Sequence, residues 1–410
     1  MDGLSIGIAG AGIGGLAAAS LLADRGHRVT LFDQFEAPRP VGSGLVVQPV
    51  GLAVLREIGA ADRALDLGAL ITRMRGLEAH TGRPVLDVSY GREPGLALHR
   101  SALFAALHEA ACRRRIQLRP GARVTGRDGQ RFRFADGTGS EEFDLLVDAS
   151  GARSALSPLR SRPLPYGALW GVVDWVDGAG LDPSHLSQRY RRADRMLGVL
   201  PIGCLPGDPV PKAAIFWSLP ESGHGAWRDR GLGAWAEEAA ALWPEAAPFF
   251  RQIDHPDRLT MARYSHGALR RPYAPGLAIL GDAAHRASPQ LGQGANMALL
   301  DALALARALD HFPGLPALPD ALAAYARARR WPVRTYQALS AAFTPQYQSD
   351  SRWLPVLRDR VLYPLSCMPP LPTILSRLVA GRLLPPLGAL GALGVAAARE
   401  SAPLPRDRAA

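Results

Sequence analysis

Apolar residues near both ends of the chain follow the pattern of a parallel α/β domain. Residues 4–9 form a short, mostly apolar run that predicts a buried strand, and residues 16–25 predict a helix. Residues 29–32 predict the next strand. Far along the chain, residues 277–280 predict another buried strand, and residues 297–309 repeat apolar positions at helical spacing with almost no breakers. Strand–turn–helix units of this kind build dinucleotide-binding folds.

The middle of the chain predicts a second unit made of sheet. Short segments that alternate apolar and polar residues lie between residues 70 and 98. Further such segments lie between residues 163 and 265, separated by turns rich in Gly, Pro and Asp. We expect an antiparallel sheet that covers the first unit. Its later strands are predicted at residues 167–176, 186–190, 196–202 and 213–219. Further helices are predicted at residues 54–59, 99–115, 235–242 and 321–340.

Some residues of this sheet are candidates for the walls of a ligand pocket, with an ordinary packed sheet residue as the alternative for each. Most are aromatic, and all fall on predicted strands. They are Trp170, Gln188, Tyr190, Met196 and Trp217.

A glycine motif follows the first predicted strand and opens the first predicted helix. Gly10, Gly12 and Gly15 have the spacing G-x-G-x-x-G, and Asp33 ends the second predicted strand. In this setting the glycines allow a tight turn, a close approach of pyrophosphate to the backbone, and close helix–strand packing. The acid is placed to bind a ribose hydroxyl. Alone, the motif leaves FAD, NAD and a plain tight turn open.

A second motif fills residues 281–296 between a predicted strand and helix. Asp282 follows the strand, Pro289 stiffens the loop, and glycines at 292 and 294 let a ligand approach backbone N–H groups at the helix start. By themselves these residues indicate a planar or anionic ligand.

The sequence GDAAH at 281–285, followed by P-x-x-G-Q-G-x-N at 289–296, resembles the second flavin-binding motif of the FAD-dependent aromatic hydroxylases. This family is the group A flavoprotein monooxygenases, typified by para-hydroxybenzoate hydroxylase. The resemblance covers about residues 3–335. It implies an α/β fold: a Rossmann-like FAD-binding domain with an inserted antiparallel β-sheet substrate domain and a helical C-terminal extension. The implied FAD-binding domain comprises residues 1–70, 96–162 and 268–340, the substrate domain residues 71–95 and 163–267, and the extension residues 341–410.

The resemblance also implies which residues bind FAD, non-covalently. Asp282 would hold the ribitol and pyrophosphate side, residues 292–296 would lie against the flavin ring, and Val124 would touch adenine. Arg100, in the pattern h-R-x-x-L, would contact FAD, although it could be a solvent-exposed helix residue. The loop at 39–44 would pass beside the flavin or be an ordinary surface turn. The implied FAD-binding residues are Gly10, Gly12, Ile13, Gly14, Gly15, Asp33, Gly44, Arg100, Val124, Asp282, Pro289, Gly292, Gln293, Gly294, Ala295 and Asn296.

The chain departs from the family pattern after residue 147. Where the family has roughly G-A-D-G-x-x-S, this chain has Asp148, Ala149 and Ser150, so Ser150 replaces the acid, and Ser157 lies near a position where arginine is usual. In the family this segment is implicated in handling the nicotinamide cofactor. Either Asp148 or a water-linked Ser150 could substitute, and otherwise a separate flavin reductase would be required.

The implied activity is an NAD(P)H- and O2-dependent monooxygenase that hydroxylates or epoxidises an aromatic or polyketide-like small molecule through a flavin C4a-hydroperoxide, as in secondary metabolism. Two alternatives stay open: a reductase-dependent flavin enzyme such as a halogenase, and a non-catalytic FAD carrier. Trp170 and Trp175 lack the spacing of the halogenase motif W-x-W-x-I-P. No catalytic residue is identified, since His285 within the second motif is expected to be structural.

Composition indicates which partners, metal or disulfide sites and cellular location to expect. The formal charge of the 410 residues is +10, yet Lys212 is the only lysine and the arginines are scattered, so we expect no nucleic-acid partner. Cys112, Cys204 and Cys367 support neither a disulfide framework nor a zinc site. No signal peptide or apolar run long enough for a membrane span is present, and we expect a cytoplasmic protein.

Residues 369–395, rich in Leu, Pro and Gly, are expected to pack on the protein body, with membrane docking or a substrate cover as alternatives.

Overall fold

The computed structural model describes residues 3–36 and 43–393. Residues 39–42 of the predicted flavin loop, and the end of the predicted C-terminal extension, lie outside the described residues. The strands are β1 (Ser5–Ala9), β2 (Arg28–Phe32), β3 (Gly44–Val47), β4 (Ala69–Ile71), β5 (Arg73–Glu78), β6 (Pro84–Ser89), β7 (Gly95–His99), β8 (Ile116–Arg119), β9 (Val124–Asp128), β10 (Arg131–Phe134), β11 (Leu145–Asp148), β12 (Arg162–Asp174), β13 (His185–Arg191), β14 (Arg195–Leu205), β15 (Asp208–Pro220), β16 (Thr260–Ala268), β17 (Tyr273–Ala274), β18 (Leu277–Ile279) and β19 (His285–Arg286).

The helices alternate with these strands in the first third of the chain and dominate its last third. A π-helical turn, Arg358–Leu362, joins α9 to α10. The helices are α1 (Ile13–Ala23), α2 (Pro49–Ile58), α3 (Ala61–Leu67), α4 (Arg100–Cys112), α5 (His224–Leu242), α6 (Ala247–Phe250), α7 (Gly294–His311), α8 (Leu318–Tyr347), α9 (Leu354–Leu357), α10 (Tyr363–Ser366) and α11 (Leu371–Val379).

A six-stranded sheet forms the Rossmann-like unit, in the order β17-β18-β11-β1-β2-β8. Its pairs are parallel except β17 with β18. Parallel strands need crossover connections, and α1 is the helical crossover between β1 and β2. Because the middle of α1 is a run of alanines, the buried α7 and α4 can pack closely against it. The carboxyl ends of the parallel strands therefore meet at one edge.

An eight-stranded sheet forms the second unit, in the order β19-β16-β12-β15-β14-β13-β5-β6. Its two faces follow the alternation of β15: Ala213, Ile215 and Trp217 pack under α5 and α6, whereas Ala214 and Phe216 lie on the other face, in a cluster with Val46 of β3 and Val379 of α11. A third, smaller sheet, β3-β7-β4, is formed by strands from the part of the chain between β2 and α4.

The fold class predicted from the sequence is confirmed, with corrections in detail. The eight-stranded sheet contains one parallel pair, β5 with β13, because the chain returns to this sheet from a separate insertion instead of a hairpin. Strand β16 was not predicted. Helix α5 is longer than predicted and is kinked at Gly231, whose φ of 79° breaks its helical geometry. Helix α8 continues to Tyr347, past the predicted end at residue 340 and through Pro345.

The C-terminal segment packs on the protein body. Leu387 and Leu390 are buried in the core that also contains α1 and α7, and Leu378 is buried beside Tyr336 of α8. The packing predicted for residues 369–395 is therefore confirmed for the residues described. None of the described helices is both long and apolar enough to cross a lipid bilayer.

Candidate active site

A cavity of about 820 Å³ lies between the carboxyl ends of the parallel strands, the eight-stranded sheet and helices α8 and α11. This volume is within the range of small-molecule and cofactor pockets. Two helices, α1 and α7, begin at the cavity, and neither has a side-chain cap at its start. Their free backbone N–H groups and positive dipole ends favour an anionic ligand.

The first glycine loop is shaped by contacts that exclude side chains. Gly10 has a φ of +99°, and a Cβ there would lie 2.6 Å from the Ala149 carbonyl oxygen. A Cβ at Gly15 would lie 1.8 Å from the Gly10 carbonyl oxygen. At Gly12, in contrast, a Cβ would meet nothing within 4 Å, since this glycine faces the cavity. Gly10 and Gly15 thus serve the turn, whereas Gly12 leaves room for a ligand.

Asp33 holds this loop in place from the end of β2. One of its carboxylate oxygens accepts a hydrogen bond from the Ala11 N–H at 2.7 Å, and the other accepts from the Phe35 N–H at 2.9 Å. Each carboxylate oxygen can accept a second bond. Asp33 lines the cavity and keeps the capacity to accept from a hydroxyl of a ligand.

The second glycine loop reaches the cavity through two short 3₁₀ turns, Gly281–Ala283 and Pro289–Leu291. Gly292 ends the second turn with a φ of 60°, and α7 then begins at Gly294. A side chain at Gly292 would be strained by the backbone conformation.

Asn296 fixes this loop to the neighbouring sheet. Its Oδ1 accepts from the Gln48 N–H at 2.8 Å, and its Nδ2 donates to the Val46 carbonyl at 3.2 Å and to the Gly292 carbonyl at 3.0 Å. Asn296 is fully buried and does not line the cavity. The contact of this residue is with protein backbone.

The structure brings most of the FAD-binding residues expected from the sequence to this one cavity. Gly15 and Asn296 are the exceptions, and both shape the loops that line it. The expected residues that line the cavity are Gly10, Gly12, Ile13, Gly14, Asp33, Gly44, Arg100, Val124, Asp282, Pro289, Gly292, Gln293, Gly294 and Ala295.

A buried charge cluster supports the second loop. Asp301 of α7 accepts hydrogen bonds from His285 Nε2 at 2.6 Å, from Arg329 Nε at 2.7 Å and from the Gly281 N–H at 3.0 Å. Burial raises the pKa of Asp301, but the attraction of His285 and Arg329 and their hydrogen bonds outweigh it and lower this pKa to about 2. His285 therefore anchors the loop, as expected from the sequence, although its ring also lines the cavity.

Ser150 lines the cavity, whereas Asp148 lies beneath it and is fully buried. Asp148 accepts from Ser150 Oγ at 2.5 Å, from the Ser150 N–H at 3.1 Å and from Ser154 Oγ at 2.5 Å. Burial raises the pKa of Asp148, and the serine hydrogen bonds partly offset this rise. The carboxylate of Asp148 is turned into the protein, so Asp148 can act at the cavity only through Ser150, which it holds in place.

Replacement of Ser150 by Ala is expected to lower the free energy of unfolding by about 1–3 kcal/mol at neutral pH, because a buried carboxylate loses a hydrogen bond. The pKa of Asp148 is higher in the folded protein than in the unfolded chain, so the ionised carboxylate destabilises the fold at neutral pH. The loss of stability caused by Ser150→Ala should therefore shrink as the pH falls and Asp148 becomes protonated. Denaturant unfolding between pH 4 and 8 measures it.

The matched control is Ser184→Ala, because Ser184 makes the same two bonds, from its N–H and its Oγ, to the exposed Asp182. We expect a change within about 0.5 kcal/mol there. Equal losses in the two variants would show that burial of Asp148 adds nothing.

The eight-stranded sheet supplies an apolar wall opposite the glycine loops. Trp170, Gln188, Tyr190 and Met196, four of the candidates from the sequence, line the cavity. Trp217 does not, since its ring packs on the opposite face of the sheet against Trp235 at 6.1 Å between centroids. Its neighbour Phe216 lines the cavity instead.

Several lining residues were not singled out from the sequence. Tyr264 accepts a hydrogen bond from Trp170 Nε1 at 2.9 Å, and Tyr347 lies 5.2 Å from Tyr190 between ring centroids. Leu375 and Val379 of α11 close the cavity from the C-terminal segment. No local motif marks these residues, because their positions depend on the packing of distant segments.

The residues of the cavity fit FAD. Arg100, Arg123 and Arg153 line it, and guanidinium groups are suited to bind a pyrophosphate. Gln48 Oε1, Gln290 Nε2 and Gln293 Oε1 are buried and have no hydrogen-bond partner within the described chain. All three glutamines line the cavity, so they can bind the polar edges of a ring system. Residues 3–36 and 43–393 contain no group of three His, Cys, Asp or Glu residues that could hold a metal ion.

Comparison with known proteins also indicates an FAD-binding protein. The sequence matches the FAD binding domain family over residues 4–182 and 233–338, which is more than half of the chain. It is 31% identical over 335 residues to 3-amino-4-hydroxybenzoate 2-monooxygenase of Streptomyces cremeus, covering 76% of this chain and 80% of the relative. It is 30% identical over 352 residues to 2-heptyl-3-hydroxy-4(1H)-quinolone synthase of Mycobacteroides abscessus, covering 81% and 88%.

The fold is shared with solved structures as well. HpxO of Klebsiella pneumoniae, complexed with FAD and uric acid, superposes with a TM-score of 0.76 at 21% identity, covering 93% of this chain and 98% of HpxO. FAD is accordingly the cofactor, and NAD(P)H is the reductant typical of this enzyme class. The family match and the monooxygenase relatives show that this chain belongs to the FAD binding domain family and is an FAD-dependent monooxygenase of the aromatic hydroxylase group.

Proposed function

We propose that the enzyme oxidises an uncharged, lipophilic aromatic compound in the part of the cavity beneath the eight-stranded sheet. This proposal rests on the chemistry of that wall. We define this wall as the cavity-lining residues of strands β5, β6 and β12 to β16 and of helices α8 and α11. None of these described residues is charged. Met74, Leu186, Met196, Leu200 and Phe216 are typical of this surface. An ionised carboxylate placed there would be desolvated without a partner.

The two relatives described above are named after two kinds of aromatic compound. One name specifies an aminohydroxybenzoate, which carries a carboxylate, and the other a quinolone with a heptyl chain. An apolar wall suits the second kind. We therefore expect a phenol-like or quinolone-like ring with an alkyl extension.

The polar groups of this wall are phenols and amides. Burial raises the pKa of Tyr90 to about 12, a rise that a hydrogen bond with Gln48 only partly offsets, and burial raises the pKa of Tyr264 further. Both phenols stay protonated at neutral pH and can donate hydrogen bonds to a ring oxygen of the substrate. They orient the substrate and add no charge.

For the cofactor we propose the roles implied by the sequence. The loop of Gly10, Gly12, Gly14 and Gly15 would hold the pyrophosphate, with Asp33 on the ribose, Val124 at the adenine and Arg100 near the phosphates. Asp282 would bind the ribitol side, and Pro289 with residues 292–295 would lie against the flavin ring, while Asn296 holds their loop through its backbone contacts. The FAD-binding domain would comprise residues 1–70, 96–162 and 268–340, and the substrate domain residues 71–95 and 163–267.

The overall reaction would be substrate plus O2 plus NAD(P)H plus a proton, giving hydroxylated substrate, water and NAD(P)+. NAD(P)H supplies two electrons, one oxygen atom enters the substrate and the other leaves as water. Bound FAD supplies the activation of O2. The protein excludes water and orients the ring. We propose a cytoplasmic enzyme that is reduced directly by NAD(P)H, with a separate flavin reductase as the alternative raised by Ser150.

Anaerobic mixing of the purified holoenzyme with NADPH and then NADH tests this proposal. We expect loss of the visible absorbance of the flavin, and faster loss in the presence of a 2-alkyl-4-quinolone than without it. Admission of O2 should then give a hydroxylated product and restore the absorbance.

The matched control is the same quinolone with a carboxylate at the end of its alkyl chain. Because the wall offers no cation, we expect its KM to be at least tenfold higher, a loss of about 1.4 kcal/mol of binding. Equal KM values would contradict the assignment of an uncharged substrate. Reduction by dithionite but by neither nucleotide would move the proposal to an enzyme that depends on a separate reductase.

A further inference from the structure

Large apolar side chains are exposed along the segment between α8 and α11. Trp353, Leu357, Val361, Leu365 and Met368 are between 44% and 82% exposed, Trp353 the most. Leu357, Val361 and Leu365 lie in α9, Arg358–Leu362 and α10, and Trp353 and Met368 flank these turns. Their spacing of three and four residues is that of one side of a helix. Together with Ile374 of α11, which is 39% exposed, we call these residues the C-terminal apolar face.

The opposite side of this segment is fixed to the protein. Arg358 is 1% exposed, lies 5.1 Å over the rings of both Tyr190 and Tyr347, and donates to the Gln346 carbonyl at 2.9 Å and the Arg192 carbonyl at 3.1 Å. Since the segment is anchored in this way, the apolar face is presented on a fixed surface. Contiguous exposed apolar surface of this kind marks an interaction site.

The charges around the apolar face are basic. Arg352, Arg360 and Arg377 are exposed, and their side chains make no ion pair or hydrogen bond within the described chain. The acid of the same segment, Asp359, is paired with Arg358 at 2.6 Å. A second copy of this chain would bring the same arginines face to face across a two-fold axis, and like charges oppose such pairing. A surface that combines apolar side chains, Trp and a basic rim fits the boundary of an anionic lipid layer.

We propose that the C-terminal apolar face docks on the surface of a bilayer that contains anionic lipids. Trp353 and the aliphatic side chains enter the boundary between headgroups and acyl chains, where Trp is favoured, and the three arginines contact lipid phosphates. The protein lies on the membrane without crossing it.

Helix α11 links this face to the cavity. Ile374 belongs to the face, whereas Leu375, Leu378 and Val379 line the cavity. The docked surface and the substrate wall are thus separated by one helix. On the proposed function the substrate is lipophilic, and it can pass from the bilayer to the cavity beside α11.

Co-sedimentation with vesicles tests the docking. Holoenzyme is mixed with vesicles of phosphatidylcholine alone or with a third of phosphatidylglycerol, at low and high NaCl concentration. We expect binding to the mixed vesicles that falls with salt. The triple variant Trp353→Ser, Leu357→Ser, Val361→Ser should reduce the partition coefficient at least tenfold. The variant Arg352→Gln, Arg360→Gln, Arg377→Gln should remove the preference for anionic vesicles.

The control changes apolar residues that are exposed elsewhere, Val210→Ser and Leu315→Ser, which are 44% and 52% exposed in the wild type. We expect wild-type binding from it. Absence of wild-type binding, or equal binding by the control and the triple serine variant, would overturn the proposal. So would a dimer in solution that the serine variant converts to a monomer without any vesicle binding. Because no turnover is measured, vesicle binding is judged separately from quinolone oxidation, and either proposal can fail while the other stands.

Discussion

Replacement of Asp301 by Asn is expected to lower the free energy of unfolding by about 3–5 kcal/mol, because it breaks a buried ion pair from one side. The side chain of Asp301 is 1% exposed and that of Arg329 is 2% exposed. An asparagine can still accept hydrogen bonds but carries no charge, so the Arg329 guanidinium is left buried without a counter-charge. The loss should also loosen the loop at residues 281–285, which Asp301 holds through the Gly281 N–H and His285.

Urea unfolding of the apoprotein measures this effect, and Asp310→Asn is the matched control. Asp310 is on the same helix and pairs with Arg25 at 2.7 Å, but its side chain is 45% exposed. Exposed pairs contribute about 0–1 kcal/mol, so the control should change little. If both variants lost the same stability, burial of the pair would not be what stabilises α7. The double variant Asp301→Asn with Arg329→Met should recover part of the loss, because no unpaired charge then remains buried.

The stability of the wild type should depend on pH in the direction set by the ion pair of Asp301. The pKa of folded Asp301, about 2, is below its unfolded value, so the ionised carboxylate contributes stability above the unfolded pKa. This contribution should be lost as the pH falls through about 2. The difference in stability between the wild type and Asp301→Asn should therefore be full at neutral pH and shrink between about pH 4 and pH 2.

The two glycine loops could be predicted from the sequence because their chemistry is local. A turn with a φ of +99° at Gly10 and a contact as short as that of Gly15 with Gly10 demand glycine wherever they occur. The order strand, loop, helix then fixes which edge of the sheet each loop reaches. This is why the loops at residues 10–14 and 289–295, which are far apart in sequence, are both expected at one ligand, and both contribute residues to one cavity.

The substrate wall could not be predicted to the same degree, since it depends on register. In β15, Phe216 faces the cavity and Trp217 faces α5, and a shift of one residue would exchange them. Both residues are large and apolar, so alternation in the sequence does not tell which face is which. The contribution of Leu375 and Val379 depends on how the C-terminal segment folds back, which no motif specifies. The cluster of Asp301, His285 and Arg329 was missed for the same reason, because Arg329 is on a different helix.

Replacement of Gly12 by Ala is expected to weaken FAD binding on the order of 100-fold, a loss of about 2.7 kcal/mol, and to leave the protein folded. A Cβ at this position meets no protein atom within 4 Å, so the apoprotein has room for it. The same Cβ projects into the cavity at the start of α1, where we propose that the pyrophosphate approaches the backbone. The cost therefore falls on the bound state. Titration of apoprotein with FAD, followed by the quenching of flavin fluorescence, measures it.

The choice of Gly12 and its control make the outcome decisive. Gly15→Ala would also abolish binding, but its Cβ would lie 1.8 Å from the Gly10 carbonyl oxygen, so a damaged fold would explain the loss equally well. Gly223→Ala is the matched control: Gly223 is the residue before α5, as Gly12 is before α1, and its Cβ would meet only Pro220 at 3.8 Å. Both substitutions change a helix start by about 1 kcal/mol or less. Wild-type FAD affinity in Gly12→Ala would show that the cofactor does not approach this loop, whereas loss in Gly12→Ala alone places the phosphates at the start of α1.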